Sequence, residues 1–335
     1  MKLNVSDLRK FKANSASIKT NSILPILSYL KFDKGTVTKN AMGSFVIQKI
    51  DCKESFLIDE RILMNFISYT NSPTIDVKVT DKNIKITDGS TTVTSPTDDI
   101  AHFPTNDQPD GKSVQLDREV LEAVSIASNF TIEEEVPSPR SHVFIGKNCV
   151  CGSDGFVAYI DEFEEEVPEV VLKKATATAI SKFDSLKFSQ NESYHFFETD
   201  KCKFGFIKPD YKFFDLTPFG KFEKQGSFVI DKTDLINVND MVVGATNAKY
   251  SIVKIEVKNN SMTYEMNDAD YGVNIVKELP VSGEVDGAFN FNAALMNRLL
   301  KSVTDTMLTF NKVGERYYVT GDSGFVALIN GFVNS

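Results

Sequence analysis

Thiols and imidazoles are scarce in this chain, whose 335 residues supply only four cysteines and three histidines. Cys52, Cys149, Cys151 and Cys202 lack the paired spacing of a structural zinc site, and Cys149-Val-Cys151 has no second pair to complete one. His102, His142 and His195 lie in separate segments and read as surface or strand-end residues, so no metal site or catalytic histidine cluster is expected. Neither a P-loop nor a Gly-x-Gly-x-x-Gly phosphate cradle occurs. The start, Met1-Lys-Leu-Asn-Val-Ser-Asp7, meets charge before any apolar run could act as a signal, so reduced thiols and a cytoplasmic location are expected. The acidic runs Glu133–Glu135 and Glu162–Glu166 read as solvated loops rather than ligand sets. Asn4-Val-Ser6 and Asn129-Phe-Thr131 fit a glycosylation pattern that has no meaning without export.

Repetition is abundant. A short strand, a polar cap and an amphipathic helix return six times, opening at positions 2, 55, 113, 170, 227 and 288. The clearest copies are Ser55-Phe-Leu-Ile-Asp59, Ser113-Val-Gln-Leu-Asp117 and Ser227-Phe-Val-Ile-Asp231; weaker ones open at Lys2, Val170 and Ala288. Gly155-Phe-Val-Ala-Tyr-Ile160 also reappears as Gly324-Phe-Val-Ala-Leu-Ile329, which predicts equivalent places in two copies. A fixed period of this kind outranks most other sequence signals. The repeating unit is βαβββ.

The spacing predicts helices over 5–16, 59–70, 117–128, 172–183, 231–246 and 291–303. Ile62, Leu63, Phe66 and Ile67 form one stripe, as do Leu295, Met296, Leu299, Leu300 and Val303, so each helix buries one face only. Asp59, Asp117 and Asp231 stand where a carboxylate caps free N–H groups and meets the positive end of the helix dipole. Alternating runs such as Thr74–Val79 and Asn83–Thr87 follow, punctuated by Asp81-Lys-Asn83 and Asp88-Gly89 as hairpin turns. One unit alone leaves a helix stripe and sheet edges uncovered, whereas two units side by side place two helices under one continuous sheet. Six units then make three domains, divided at the polar stretches 105–111 and 218–226, with bounds of 1–110, 111–225 and 226–335. The open sheet edges are expected around 66–79 and 244–257.

Net charge is −9, yet its distribution matters more than its sum. The six predicted helices carry +2, −1, −2, +3, −2 and +2, which leaves −11 for strands and loops. Without the three capping aspartates the helices would sum to +5. An acidic exterior with mildly basic helices suits weak, sequence-independent contact with phosphate better than a tight grip.

Five phrases spread over the whole chain carry a resemblance: Ile23-Leu-Pro-Ile-Leu27, His102-Phe-Pro104, Ser153-Asp-Gly155, Pro209-Asp-Tyr211 and Phe289-Asn-Phe-Asn292. In that order, on this repeat, they resemble the bacterial-type DNA polymerase III β sliding clamp. The resemblance implies an α+β fold of three tandem clamp domains, each of two βαβββ units, with helices lining a ring and sheets outside. It implies a non-catalytic processivity factor, without cofactor, that closes as a homodimer around double-stranded DNA. It also implies that replicative polymerase and clamp loader dock through short linear motifs. The lining candidates are Arg9, Lys10, Lys12, Lys19, Lys173, Lys174, Lys182, Arg298 and Lys301. Position by position, the partner-peptide pocket takes Gly155, Phe156, Val157, Pro209, Phe213, Phe214, Tyr318, Asn330, Gly331 and Phe332. The family's Met-Pro-Met-like end is replaced here by Asn330-Gly-Phe-Val-Asn-Ser335, and its basic residues after the two turns by Val157 and Phe213. Such departures would suit a phage or mobile-element clamp serving its own polymerase. A repeat-built interaction scaffold of the same fold and an enzyme using the acidic runs are the competing readings.

Overall fold

The computed structural model describes residues 1–335 except 19–23, 135–137, 147, 166, 213–215, 247–250, 269–271, 286–287 and 331–335. Six βαβββ units follow one another. The first is β1 (Lys2–Asn4), α1 (Val5–Asn14), β2 (Tyr29–Asp33), β3 (Thr36–Ala41) and β4 (Ser44–Lys49). The second is β5 (Phe56–Asp59), α2 (Glu60–Tyr69), β6 (Thr74–Val79), β7 (Asn83–Thr87) and β8 (Thr92–Pro96). β9 (Asp110–Leu116), α3 (Arg118–Asn129), β10 (His142–Gly146), β11 (Cys149–Ser153) and β12 (Val157–Glu162) make the third. β13 (Val170–Lys173), α4 (Lys174–Ile180), β14 (Leu186–Gln190), β15 (Tyr194–Glu198) and β16 (Cys202–Ile207) make the fourth. After a single helical turn, α5 (Thr217–Gly220), come β17 (Gly226–Asp231), α6 (Lys232–Ala245), β18 (Ile252–Lys258), β19 (Ser261–Asp268), β20 (Val273–Pro280) and a short β21 (Ser282–Glu284). The sixth unit is β22 (Ala288–Asn292), α7 (Ala293–Ser302), β23 (Met307–Val313), β24 (Arg316–Thr320) and β25 (Val326–Asn330).

Local chemistry fixes the helix starts. Asp59 accepts from the backbone N–H of Arg61 and Ile62, and Asp231 from Thr233. Asn4 and Asn292 do the same in the weaker copies, accepting from Ser6 and from Ala294 and Leu295. The turn at Asp88-Gly89 is equally determined: Gly89 has φ +97°, and Asp88 accepts from Ser90 and Thr91 N–H and the Thr70 hydroxyl. Those bonds hold the Asp88 carboxyl well below the usual carboxylate range.

The pairing within each couple of units differs from the single continuous sheet expected. The first strand of each unit crosses to its partner and pairs beside that partner's three following strands. Thus β1 joins β6-β7-β8, while β5 joins β2-β3-β4; β17 joins β23-β24-β25, while β22 joins β18-β19-β20. Exchange covers the edge that each three-stranded meander would otherwise leave open on its helix side. Two larger sheets result, β5-β2-β3-β4-β16-β15-β14-β9 and β13-β10-β11-β12-β25-β24-β23-β17-β21. Two sheets of four stay separate, with β8 and β20 as their last strands. These sheets end on β1 and β8 and on β20 and β22, so β6 and β18, the neighbourhoods read from the sequence as open edges, lie inside them with a neighbour on either side.

Two compact units divide the chain, residues 1–118 with 182–208, and residues 119–181 with 209–335. In the first, Phe45, Tyr194 and Phe196 pack over the β4–β16 seam. Gly205 is required there, because a Cβ would lie 2.2 Å from the Phe45 ring. His195, buried against Phe188, is pushed down to about 4 by desolvation and by Lys208. A histidine depressed in the fold lowers stability as pH falls from its unfolded value near 6.5 toward 4. Replacing His195 with Phe should flatten the dependence of melting temperature on pH across that window. In the second compact unit Tyr159 stacks between Phe130 and Phe325 under the β12–β25 seam. Among the described residues no helix is long and apolar enough to cross a membrane.

Candidate nucleic-acid interface and partner pocket

Five of the nine basic candidates are engaged within the chain. Arg9 donates through Nε and Nη2 to the Ile67 carbonyl at 3.2 and 3.1 Å and through Nη2 to the Thr70 carbonyl at 2.8 Å. Lys12 donates to the Ser68 hydroxyl at 2.6 Å. Lys174 donates to the Thr131 carbonyl at 2.7 Å; burial, with nearby Arg298, pulls its ammonium below the usual lysine range against the opposing pull of Glu133 and Asp154. Arg298 pairs with Asp154 and Lys301 with Asp240, at 2.5 and 2.6 Å. Lys10, Lys173 and Lys182 are exposed, and Lys19 lies outside the described residues.

A shared device explains several of these bonds. Arg9 on α1, Lys174 on α4 and Lys232 on α6 each donate to carbonyls at or just past the C-terminal end of α2, α3 and α7 respectively. The last carbonyls of a helix have no partner of their own, and a cation there also meets the negative end of the dipole. Each pair of units thus spends one basic residue on joining its helices. Replacing Arg9 with Ala is expected to destabilise the fold by about 1–2 kcal/mol, read as a lower melting temperature, because charge-assisted bonds to buried carbonyls are lost.

The pocket candidates fall into two groups. Tyr318 belongs to an apolar cluster on one face of the nine-stranded sheet, with Phe144, Cys151, Ala158, Ile160, Val171, Leu216 and Leu328. Register creates it: Val171, Phe144, Cys151, Ile160 and Val326 stand directly opposite one another across five strands, and Ala158, Leu328 and Tyr318 form the next row. Leu216 covers it from the connecting segment, beside half-buried Tyr211 and Phe222. Phe222 stacks on Tyr318 at 4.2 Å, and Tyr211 packs against His142 at 4.9 Å. Val157 is buried on the opposite face of β12, one register position away from Ala158. Phe213, Phe214, Gly331 and Phe332 lie outside the described residues, and of Asn330 the backbone pairs with Arg316. Pro209 is half-buried at the start of the connecting segment. Phe144, Val171, Leu216, Phe222 and Leu328 were not assigned to the pocket from the sequence, because β10 and most of β12 are buried on both faces and show no alternation to mark one.

Gly155 and Phe156 sit on the turn between β11 and β12. Asp154 accepts from the N–H of Phe156 and of Val157, both at 2.8 Å, and Gly155 N–H donates to the Ser153 hydroxyl. Gly155 has φ +90°, which favours glycine. Phe156 emerges 55% exposed. Among the described residues no group of three His, Cys, Asp or Glu side chains could hold a metal ion.

No protein-family model and no curated protein sequence matches the chain. Solved structures do. The DNA polymerase III subunit β of Pseudomonas aeruginosa superposes with a TM-score of 0.86 at 14% identity, covering all of both chains. The β chain of DNA polymerase III from Streptococcus pneumoniae gives 0.85 at 15% identity over 99% of each chain. A sliding clamp from Pseudomonas aeruginosa bound to griselimycin gives 0.86 at 13% identity, over 100% of this chain and 99% of that one. Over its whole length, then, the chain has the fold of the DNA polymerase III β sliding clamps.

Proposed function

We propose that this protein is a DNA polymerase processivity factor, a non-catalytic clamp of the cytoplasm that encircles duplex DNA as a homodimeric ring. The observation that carries the reading is the fold, matched end to end by clamps; β8 and β20, end strands of the two four-stranded sheets, offer one pairing edge in each terminal third of the chain. Pairing β8 of one copy with β20 of another satisfies both edges and closes after two copies. The three domains are 1–110, 111–225 and 226–335, and the sheets that run through β4–β16 and β12–β25 are their joints. Partners are duplex DNA held without regard to sequence, and a replicative polymerase and clamp loader whose short motifs seat on the cluster around Tyr318 and Leu328. Griselimycin, which the Pseudomonas aeruginosa clamp binds, is the probe for this surface.

Topological linkage needs no tight grip, so a few exposed cations suffice. Lys10, Lys173 and Lys182 supply them. Changing all three to Glu should abolish loading and processive primer extension while melting temperature stays within a degree or two, because exposed charges contribute little to stability. Unaltered primer extension by the triple variant would remove these positions from the DNA path.

A further inference from the structure

We propose that Arg298 is a positioning residue for the partner-binding turn and not a contact to DNA. This rests on the clamp reading above and assigns Arg298 a different task from the other lining candidates. Asp154 is the reason. It is 4% exposed, and its carboxylate divides its two oxygens between two duties. Oδ1 holds the N–H groups of Phe156 and Val157, and Oδ2 receives Nη2 of Arg298 at 2.5 Å. Arg298 comes from α7, 144 residues away in sequence. Its guanidinium lies 5.9 Å over the Phe130 ring, and its Nε is buried without a hydrogen-bond partner. A cation meant for phosphate would extend into water; this one is drawn inward, stacked and half-desolvated.

The consequence falls on Phe156. Phe156 is more than half exposed, and what sets it apart is that its backbone is held in place. Three bonds fix it: two from the turn N–H groups and one from Arg298 of α7, all donated to Asp154. Without the guanidinium, the buried carboxylate keeps only Lys174 and the two turn N–H groups against its charge, which it relieves by turning toward water and releasing those N–H groups. The Phe156 turn is thus ordered by the helix that the clamp reading places toward DNA, and Phe156 becomes the rigid outer anchor of a docked peptide.

The chain has no tryptophan, so Phe156→Trp provides a single fluorescent reporter on the turn. In that background Arg298→Ala should lower the anisotropy of the reporter indole and speed amide exchange at Val157 about tenfold, and Asp154→Asn should do so to a smaller extent. Arg298→Lys should restore part of the order. In the unmodified background Arg298→Ala should weaken griselimycin about tenfold. The slope of log Kobs against log salt for a labelled 30-bp duplex should not change, whereas loss of a phosphate contact would reduce it by about 0.9. Unchanged anisotropy and exchange in folded Arg298→Ala, or a slope reduced by one contact, overturns the proposal. Failure of the parent protein to bind duplex or griselimycin would count against the clamp reading, while the anisotropy and exchange measurements would still decide the role of Arg298. Should Arg298→Ala unfold, Asp154→Asn and Arg298→Lys carry the same comparison.

Discussion

Val276→Asp is expected to turn the proposed dimer into a monomer. Val276 is 57% exposed on β20, the open last strand of its sheet, and stands opposite Glu265 of β19 with its free side toward a pairing strand. In the single chain the new carboxylate faces water and the like charge of Glu265 opposite it, so melting of the isolated subunit should fall only slightly. Across a closed seam the new carboxylate is desolvated without a partner, which costs about 3 kcal/mol, or roughly two powers of ten in dimer dissociation constant. Sedimentation equilibrium at micromolar concentration reads the result directly. A dimer as tight as the parent's would place the subunit joint away from β20.

The second large effect concerns partner docking. Phe222→Ala removes the ring stacked at 4.2 Å on Tyr318 at the edge of the apolar cluster, where Phe222 itself is half-buried. Truncating an apolar anchor of this kind should weaken griselimycin or a polymerase-derived peptide by about 1–3 kcal/mol, read by calorimetry or displacement. Dimer mass should be unaffected. If melting falls sharply while ligand affinity is kept, the cluster is core and the docking site lies elsewhere.

What the sequence disclosed was whatever is written locally. Caps at Asp59 and Asp231, the apolar stripes of α2 and α7, and the Asp88-Gly89 turn each follow from a few adjacent residues, and each appears where the spacing places it. Strand exchange between paired units was not legible, because β1 and β5 read alike whichever meander they join; the choice is made by edges far apart in sequence. The doubled Gly-Phe-Val-Ala phrase shows the limit most plainly. Both copies open the last strand of a unit, but β12 turns Ala158 toward the cluster whereas β25 turns Val326 and Leu328 there. Phe156 is consequently exposed while Phe325 is 1% exposed and stacks on Tyr159. A one-residue slip in register flips every side chain, and identical words then mean opposite faces. The basic residues failed to declare their roles for a similar reason. Nothing in the sequence separates Lys10, which is exposed, from Arg9, which is committed to two carbonyls of α2 and its cap.

The central claim is topological, and linkage can be measured without identifying a loader. Protein is incubated at low salt with linear duplex plasmid, onto whose ends a ring can thread; the ends are then ligated, and the mixture is passed through a sizing column in high salt. An encircling clamp remains with the closed circles and is released when a single restriction cut reopens them. Equal loss from circles and linear molecules at that salt would show a protein that touches DNA only electrostatically, and would contradict the ring.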